Sequence, residues 1–209
     1  MNIGIIGSGK IGALVGRLWV HAGHDVRFSS RHPEQLAVWV HELGLHASVG
    51  TAAEAAAFGD VVLISVPYMA LPELGKTLGE TLKGKIVLET GNIYPARDGK
   101  AAQDVIDSGL GTGVWSSRYL PGTRLVRAFN TVWDQTLSKA IAEGKGRQIG
   151  IPLAGDDRDA VDTAARLVAD AGFEPVIVGG LDQATRFDVG AAVYNTGMSA
   201  ADIRRTLNL

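Results

Sequence analysis

The sequence contains no cysteine, and that absence excludes disulfide bonds, thiol nucleophiles and cysteine-ligated metal sites. It has no cluster of basic residues and a formal net charge of −2 at pH 7, so nucleic acid and anionic membrane surfaces are not expected partners. No window reaches the roughly 18 uncharged apolar residues of a membrane span. The N-terminus lacks the charged segment and cleavage site of a signal peptide. We therefore expect a cytoplasmic chain with a small-molecule ligand.

No pattern typical of a metal site, or of a nucleophile with its base, stands out in the sequence. His21 and His24 are neighbours near a helix end, but zinc needs further ligands, so we interpret them as surface side chains. Asp156 and Asp157 precede a helical pattern and are interpreted as a helix cap rather than a catalytic pair. We expect no metal, and a reaction that depends on stacking two rings rather than on acid–base residues.

An apolar segment, residues 2–6, leads into a G-x-G-x-x-G pattern at residues 7–12, where a strand would give way to a helix. In this context the pattern indicates a dinucleotide-binding turn. Gly7 allows a tight turn, Gly9 lets the backbone approach a pyrophosphate, and Gly12 lets the helix lie against the strand. The free N–H groups and the positive end of the helix dipole then face the anion.

The tip of the second predicted strand indicates which dinucleotide binds. NAD-specific folds place an Asp or Glu there, about 20 residues past the glycines, to bind the ribose hydroxyl. Here the strand at residues 26–28 is followed by Ser29, Ser30 and Arg31, and Ser30 lies 18 positions (30 − 12) after the last glycine. Hydroxyl and guanidinium groups bind a ribose phosphate well, so we predict NADP(H). Alternatively, Ser30 and Arg31 only cap a helix that starts near Pro33.

Strands and helices alternate along the sequence, which predicts an α/β, Rossmann-type fold with a doubly wound, mainly parallel sheet. The predicted strands cover residues 2–6, 26–28, 46–49, 60–67, 85–90, 125–129, 148–153 and 174–178. The predicted helices cover residues 13–20, 33–43, 54–58, 69–82, 133–143 and 156–172. We expect a single NADP-binding domain, 1–209, with a mostly helical C-terminal segment, 181–209. Residues 91–113, rich in Gly, Pro, Asp and Asn, are expected to form a substrate loop.

Four segments meet at the carboxyl edge of this predicted sheet, where ligands of doubly wound folds bind. Beside the glycine turn, Val66 and Pro67 follow the fourth strand and offer an apolar wall to a nicotinamide ring. Asn92 follows the fifth strand and Asn130 the sixth, and their amides could orient a carboxamide or an acceptor. Each Asn, taken alone, is more often a turn residue that bonds its own backbone.

The order of these motifs over nearly the whole chain resembles the NADP oxidoreductases that depend on the deazaflavin coenzyme F420. The resemblance rests on the glycine turn, the Ser-Arg tip and further motifs, namely Val66-Pro67-Tyr68, Asn92-Ile93-Tyr94-Pro95, Leu120-Pro121-Gly122, Ala128-Phe129-Asn130-Thr131, Ala154-Gly155-Asp156-Asp157 and Gly179-Gly180-Leu181. From residue 120 to residue 181 the chain is also similar to the cytoplasmic reductase domain of six-transmembrane metalloreductases. The resemblance implies these NADP(H)-binding residues: Gly7, Ser8, Gly9, Lys10, Ile11, Ser30, Arg31, Val66 and Ala128. It implies that the acceptor lies near Pro67, Tyr68, Asn92 and Asn130.

The resemblance implies hydride transfer between NADPH and a deazaflavin (F420) or flavin acceptor. Archaeal members that use the deazaflavin have a histidine at the position of Asn130, which leaves the acceptor open. A second hypothesis is an imine or small-carbonyl reductase like the pyrroline-carboxylate reductases, which share the N-terminal fold but add a large helical domain. A third is a non-catalytic NADP sensor. We expect a homodimer, because it is the commonest oligomer.

Overall fold

The computed structural model describes all residues, 1–209, as one eight-stranded sheet covered by helices. The strands are β1 (Asn2–Ile6), β2 (Asp25–Ser29), β3 (Ala47–Gly50), β4 (Val61–Ile64), β5 (Ile86–Glu89), β6 (Arg124–Arg127), β7 (Gly150–Gly155) and β8 (Glu174–Gly179). The helices are α1 (Lys10–His21), α2 (Ala37–His41), α3 (Ala52–Phe58), α4 (Leu71–Leu82), α5 (Pro95–Asp98), α6 (Lys100–Asp107), α7 (Gly111–Tyr119), α8 (Asp134–Ala142), α9 (Arg158–Asp170) and α10 (Ala200–Leu207). Short 3-10 helices cover Pro33–Gln35, Tyr68–Ala70, Gly146–Gln148 and Leu181–Arg186.

The strand order is β3-β2-β1-β4-β5-β6-β7-β8, and the order reverses between β1 and β4. All neighbouring strands are parallel except β6 and β7, which are antiparallel and share only two residue pairs. The predicted doubly wound, mainly parallel α/β fold is therefore confirmed. The reversal between β1 and β4 is the switch point at which such sheets bind ligands, and the glycine turn leaves β1 there.

The two faces of the sheet carry separate hydrophobic cores, because successive side chains of a strand point in opposite directions. On β4, Val61 and Leu63 pack with α1, whereas Val62 and Ile64 pack into the core under α4 and α7. Every residue of β4 is buried, which explains the nearly continuous apolar run in the sequence. The apolar side chains of α1 cover the first of these two cores. This packing holds α1, the helix that follows the glycine turn, on that face of the sheet.

The region predicted as an irregular loop, residues 91–113, is mostly helical. It contains α5, α6 and the start of α7. Pro95 occupies the first turn of α5, and glycines with positive φ at positions 99, 109 and 111 separate the short helices. The Gly and Pro residues therefore mark helix boundaries, and the prediction of one long substrate loop is wrong.

The C-terminal segment is less helical than predicted. The 3-10 helix Leu181–Arg186 is followed by turns, and a regular helix returns only at α10. Gly190, Asn195 and Gly197 all have positive φ, which interrupts a right-handed helix. None of the helices combines the length and the apolar character needed to cross a membrane.

Candidate active site

Two glycines of the glycine turn are required by close backbone contacts, whereas the third faces open space. Gly7 has a φ of 95°, and a Cβ there would lie 2.3 Å from the Ser65 carbonyl oxygen. A Cβ at Gly12 would lie 2.2 Å from the Gly7 carbonyl oxygen, so α1 can approach the turn only without a side chain. A Cβ at Gly9 would have no neighbour within 4 Å. Gly9 therefore faces space in which a ligand can approach the backbone.

The N-terminus of α1 carries no cap from the protein itself. No side chain bonds the N–H groups of its first turn, and no acidic residue stands in that turn. The Ser8 hydroxyl donates instead to the Ser29 carbonyl oxygen at 3.0 Å. Lys10 is exposed and lies 3.9 Å from Asp134, while Ile11 is half-buried. A helix N-terminus with free donors and no competing carboxylate binds anions.

The tip of β2 presents one free cation. Ser29 is buried and its hydroxyl donates to the Ile5 carbonyl oxygen at 2.7 Å, so this side chain belongs to the sheet. The Ser30 hydroxyl oxygen accepts the His32 N–H at 2.9 Å, which stabilises the turn but leaves the Ser30 O–H free to donate. Arg31 is exposed and forms no ion pair or hydrogen bond. The residue before Pro33 that caps the 3-10 helix is His32, so the capping alternative does not account for Arg31.

The segment after β4 connects the glycine turn to the β5 end. The Val66 Cγ1 atom lies 2.7 Å from the position a Cβ of Gly7 would take, and Pro67 is exposed. Tyr68 is fully buried, and its hydroxyl donates to the Thr112 carbonyl oxygen at 2.7 Å. The ring of Tyr68 is therefore closed to a ligand in this conformation, and the acceptor site near Tyr68 stays a prediction.

The two predicted asparagines bond to each other rather than to their own backbones. The Asn92 amide donates to the Asn130 carbonyl oxygen at 2.7 Å, and the Asn130 amide donates to the Asn92 Oδ1 atom at 3.3 Å. The Oδ1 atom of Asn130 and the hydroxyl of Thr131 are buried without a hydrogen-bond partner. Ala128, two residues before Asn130, is fully buried, so only its backbone is available to a ligand.

The turn that presents Asn130 is held in an uncommon backbone conformation. Phe129, a buried residue, has a φ of 58°, in the left-handed region that L-residues rarely adopt. Its ring packs edge-on against Trp19 and Phe173, with ring centroids 6.2 and 6.3 Å apart. Packing on both sides holds the strained turn, and strain of this kind is concentrated at functional sites.

A buried ionic cluster supports the ends of β5 and β6 from below. The Glu89 and Arg127 side chains are fully buried and form an ion pair. The Glu89 carboxylate also accepts the Gly91 N–H and, at 3.0 Å, the Ser116 hydroxyl. Burial raises the pKa of Glu89, while Arg127 and these hydrogen bonds oppose the increase. Arg127 also lies 3.4 Å from Asp188, so one guanidinium ties the β5 end to the C-terminal segment.

A cavity of about 300 Å³ opens beside this cluster, in the region between Asn92 and the C-terminal segment. Its lining is mainly apolar, with a few polar groups: Ile93, Tyr94, Pro95, Val105, Ile106, Gly109, Gly111, Thr112, Thr185, Asp188 and Val189. Tyr94 is hydrogen-bonded to Tyr194 through their two hydroxyls, and Asn92 donates to the Tyr194 hydroxyl at 3.3 Å. Sequence patterns did not indicate the contact between Tyr94 and Tyr194, because 100 positions separate them.

Residues 2–93 match the model of a family described as NADP oxidoreductase, coenzyme F420-dependent. This part of the chain is therefore similar to that family. The matched segment holds the glycine turn, the β2 tip and Asn92. The resemblance expected from the sequence is confirmed over these residues.

Solved structures with the same fold extend over the remaining residues. A hypothetical protein from Sinorhizobium meliloti is 24% identical with a TM-score of 0.78, and the similarity covers 95% of both chains. An Arthrobacter protein assigned as an F420-dependent NADP reductase is 21% identical with a TM-score of 0.72, over 87% of this chain and 86% of that one. A pyrroline-5-carboxylate reductase from Coxiella burnetii is 16% identical with a TM-score of 0.63, over 90% of this chain and 64% of that one. No curated protein sequence matches the chain significantly.

Proposed function

We propose that the chain transfers a hydride between NADPH and a deazaflavin (F420) or flavin acceptor at the carboxyl edge of β1, β4, β5 and β6. The observation that carries the proposal is a pair of anion positions on this edge. One is the uncapped N-terminus of α1 beside the open Gly9, and the other is the unpaired Arg31. A pyrophosphate and a ribose phosphate are the two anionic groups that NADP(H) would bring to them.

The residues around the glycine turn fit the phosphates of NADP(H). The N–H groups of Gly9, Lys10 and Ile11 are free to bind the pyrophosphate, and Gly7 shapes the turn beneath it. Ser8 is part of this turn, but its hydroxyl already donates a hydrogen bond to the end of β2 and is not needed by the phosphate. The hydroxyl of Ser30 and the guanidinium of Arg31 would hold the ribose phosphate.

The nicotinamide end would lie between the β4 and β6 ends. Val66 supplies an apolar wall, and the backbone at Ala128 is the contact that this buried residue can offer. The Oδ1 atom of Asn130 and the hydroxyl of Thr131 are unpartnered but closed to solvent, so a carboxamide, which both donates and accepts hydrogen bonds, would reach them only after this turn opens. When bound, NADPH supplies the hydride.

The acceptor would lie outside this wall, beside the exposed Pro67 and the half-buried Asn92. Tyr68 would act by holding the segment in place, because its ring packs against Gly91 at the start of the β5 loop. These groups bind and orient a planar ring, and close alignment of two reactants can supply much of the rate enhancement.

The proposed function is tested by following NADPH oxidation with deazariboflavin, FMN, FAD and a cyclic imine side by side. Fastest turnover with deazariboflavin or a flavin is the expected result. Turnover only with the imine would replace the proposed acceptor class. Tight NADPH binding with no turnover of any acceptor would favour the NADP-sensing alternative.

The imine or small-carbonyl reductase remains a second candidate, because the tyrosine pair beside the cavity offers a proton for such an acceptor.

The homodimer also remains a proposal. Of the small residues in the C-terminal segment, Ala200 is buried against β7, whereas Ala192 is exposed and available to another subunit. Sedimentation equilibrium of the purified chain distinguishes a monomer from a dimer.

A further inference from the structure

Two tyrosine hydroxyls meet beside the cavity, at the sheet edge that holds the proposed cofactor site. Contacts connect the two places: Val66 packs on the glycine turn, and Tyr68, two residues further on, packs on Gly91. The next residue, Asn92, donates to the hydroxyl of Tyr194 at 3.3 Å. The tyrosine pair is thus linked to the glycine turn through directly contacting segments.

The hydrogen bonds allow an arrangement in which Tyr94 keeps a free proton. The Tyr194 oxygen accepts from the Asn92 Nδ2 group, and either tyrosine hydroxyl can donate to the other. Where Tyr194 donates, the Tyr94 oxygen accepts this bond, and the Tyr94 O–H has no acceptor within the protein. Tyr94 also lines the cavity. Its proton is therefore available to a molecule in the cavity.

The Arg97 side chain lies over the ring of Tyr94, with its guanidinium carbon 4.9 Å from the ring centre. Arg97 is held by Asp98 at 2.6 Å and by the Asn92 carbonyl oxygen at 2.9 Å. The Tyr194 hydroxyl would remain as a donor to the Tyr94 oxygen. The pair thus resembles an anion-stabilising site built around one oxygen atom.

Burial raises the pKa of Tyr194, and its hydrogen bond to Tyr94 contributes to the increase. Tyr194 therefore keeps its proton at neutral pH and stays a donor to Tyr94. The charged groups that face the pair are Arg97, Asp98, Arg127 and Asp188.

We propose that Tyr94 is a catalytic residue that donates its hydroxyl proton to the acceptor nitrogen, and that Tyr194 positions it. This inference rests on the proposed function, in which the C=N bond is the conjugated one of a deazaflavin or flavin, and it holds equally for the isolated C=N bond of the second candidate acceptor, an imine. Bound NADPH supplies the hydride to the acceptor carbon. The π electrons of the C=N bond form the new N–H bond with the Tyr94 proton. The Tyr94 O–H bond breaks, and the phenolate regains a proton from water.

The first test removes one hydroxyl at a time. General acids typically contribute about 10²- to 10⁴-fold to a rate, so Tyr94→Phe should lower kcat with pyrroline or deazariboflavin by about 10²-fold or more. Tyr194→Phe should cause a smaller loss, about 10-fold, because it removes only the orienting hydrogen bond. Tyr119→Phe is the matched control, since the hydroxyl of this half-buried tyrosine makes no hydrogen bond. Its kcat should equal that of the wild type.

The second test separates proton donation from a structural role. N-methylpyrrolinium is a permanent cation that accepts a hydride and needs no proton, whereas pyrroline is largely unprotonated at mildly alkaline pH. Tyr94→Phe should lower kcat for pyrroline but leave kcat for N-methylpyrrolinium within about 3-fold of the wild type. Equal losses with both substrates would overturn the proposal, because they would show that Tyr94 only supports the site.

A measurement without NADPH tests the geometry itself. The chain has only four tyrosines, so their ionisation can be followed by absorbance as the pH is raised. Tyr94→Phe should lower the pKa of Tyr194, because Tyr194 loses the oxygen atom that accepts its hydroxyl proton. An unchanged titration of the remaining tyrosines would overturn the hydroxyl pair. If the wild type bound NADPH but reduced no acceptor, the reductase function and the proton donor would both fall. If the wild type turned over normally and Tyr94→Phe had the same kcat, only the role of Tyr94 as proton donor would be refuted.

Discussion

The two halves of the sheet edge are built by different means. The proposed cofactor half consists of backbone groups at the glycine turn and the nearby β2 tip, within residues 7–31. The proposed acceptor half consists of side chains that meet across long stretches of sequence, such as Glu89 with Arg127, 38 positions apart, and Tyr94 with Tyr194, 100 positions apart. A local backbone site leaves a motif in the sequence. A site made from distant side chains leaves none, and only the fold reveals it.

The same contrast predicts different responses to mutation. Changes in the cofactor half should alter ligand binding with little effect on folding, except where a glycine is needed for close packing. Changes in the acceptor half should disturb folding as well, because its polar groups are buried and satisfy one another.

The largest expected effect is on the buried ion pair. Arg127→Met leaves the Glu89 carboxylate buried without its partner, and breaking such a pair costs about 3–5 kcal/mol of unfolding free energy. Urea denaturation measures this loss. Arg124→Met on the same strand is the control, because Arg124 is one-third exposed and its ion pair with Asp157 is solvated. Similar losses from both variants would show that burial does not distinguish the two pairs.

The next effect is on cofactor affinity. Losing one charge-assisted hydrogen bond costs about 1.5–3 kcal/mol, so Arg31→Ala should weaken NADPH binding about 10- to 150-fold. NADH lacks the ribose phosphate, and its Kd should change little. Isothermal titration calorimetry with both nucleotides measures the two constants. Equal losses for NADPH and NADH would remove Arg31 from the phosphate site.

A smaller pair of effects separates the two kinds of glycine in the turn. Gly12→Ala forces a Cβ against a backbone oxygen and should cost about 1–3 kcal/mol of stability. Gly9→Ala meets open space, so its cost should stay at or below about 1 kcal/mol, the scale of a helix cap. NADPH binding should nevertheless weaken in Gly9→Ala, because the Cβ occupies the approach to the backbone. Unchanged affinity in that variant would contradict the placement of the pyrophosphate.

The smallest effect concerns a half-buried ion pair remote from the site. The Arg124 guanidinium holds the pKa of Asp157 at about 2, below its usual 3.8. A lowered pKa adds stability that is present above pH 3.8 and is lost as the pH falls to about 2. Asp157→Asn keeps the cap on α9 but removes the charge. The stability difference between wild type and variant should therefore shrink in this pH window, and a constant difference in urea unfolding would contradict the assignment.

Sequence patterns predicted the order of strands and helices and the glycine turn, because hydrophobic periodicity and glycine spacing are local properties. The antiparallel joint between β6 and β7 was not predicted, since an apolar run has no direction and only two residue pairs define this joint. Residues 91–113 were misjudged because short helices separated by glycines resemble a loop in composition.

Of the candidate site, too, only the parts that follow from local sequence patterns were predictable. Asn92 and Asn130 were found because each directly follows a predicted strand, and the structure brings them within 2.7 Å. The sequence did not indicate the contact between Tyr94 and Tyr194, because no spacing rule connects them. Tyr68 lay beside the right segment, but the sequence did not indicate that its ring points into the core.

The central claim is that both halves of the edge serve one hydride transfer. A single turnover with NADPH carrying deuterium at its transferable position, and deazariboflavin as acceptor, tests it most directly, because the label remains on a carbon atom of the reduced deazaflavin. We predict one deuterium on that carbon and none in the solvent. Reduced acceptor without the label, or tightly bound NADPH that is never oxidised, would contradict the account.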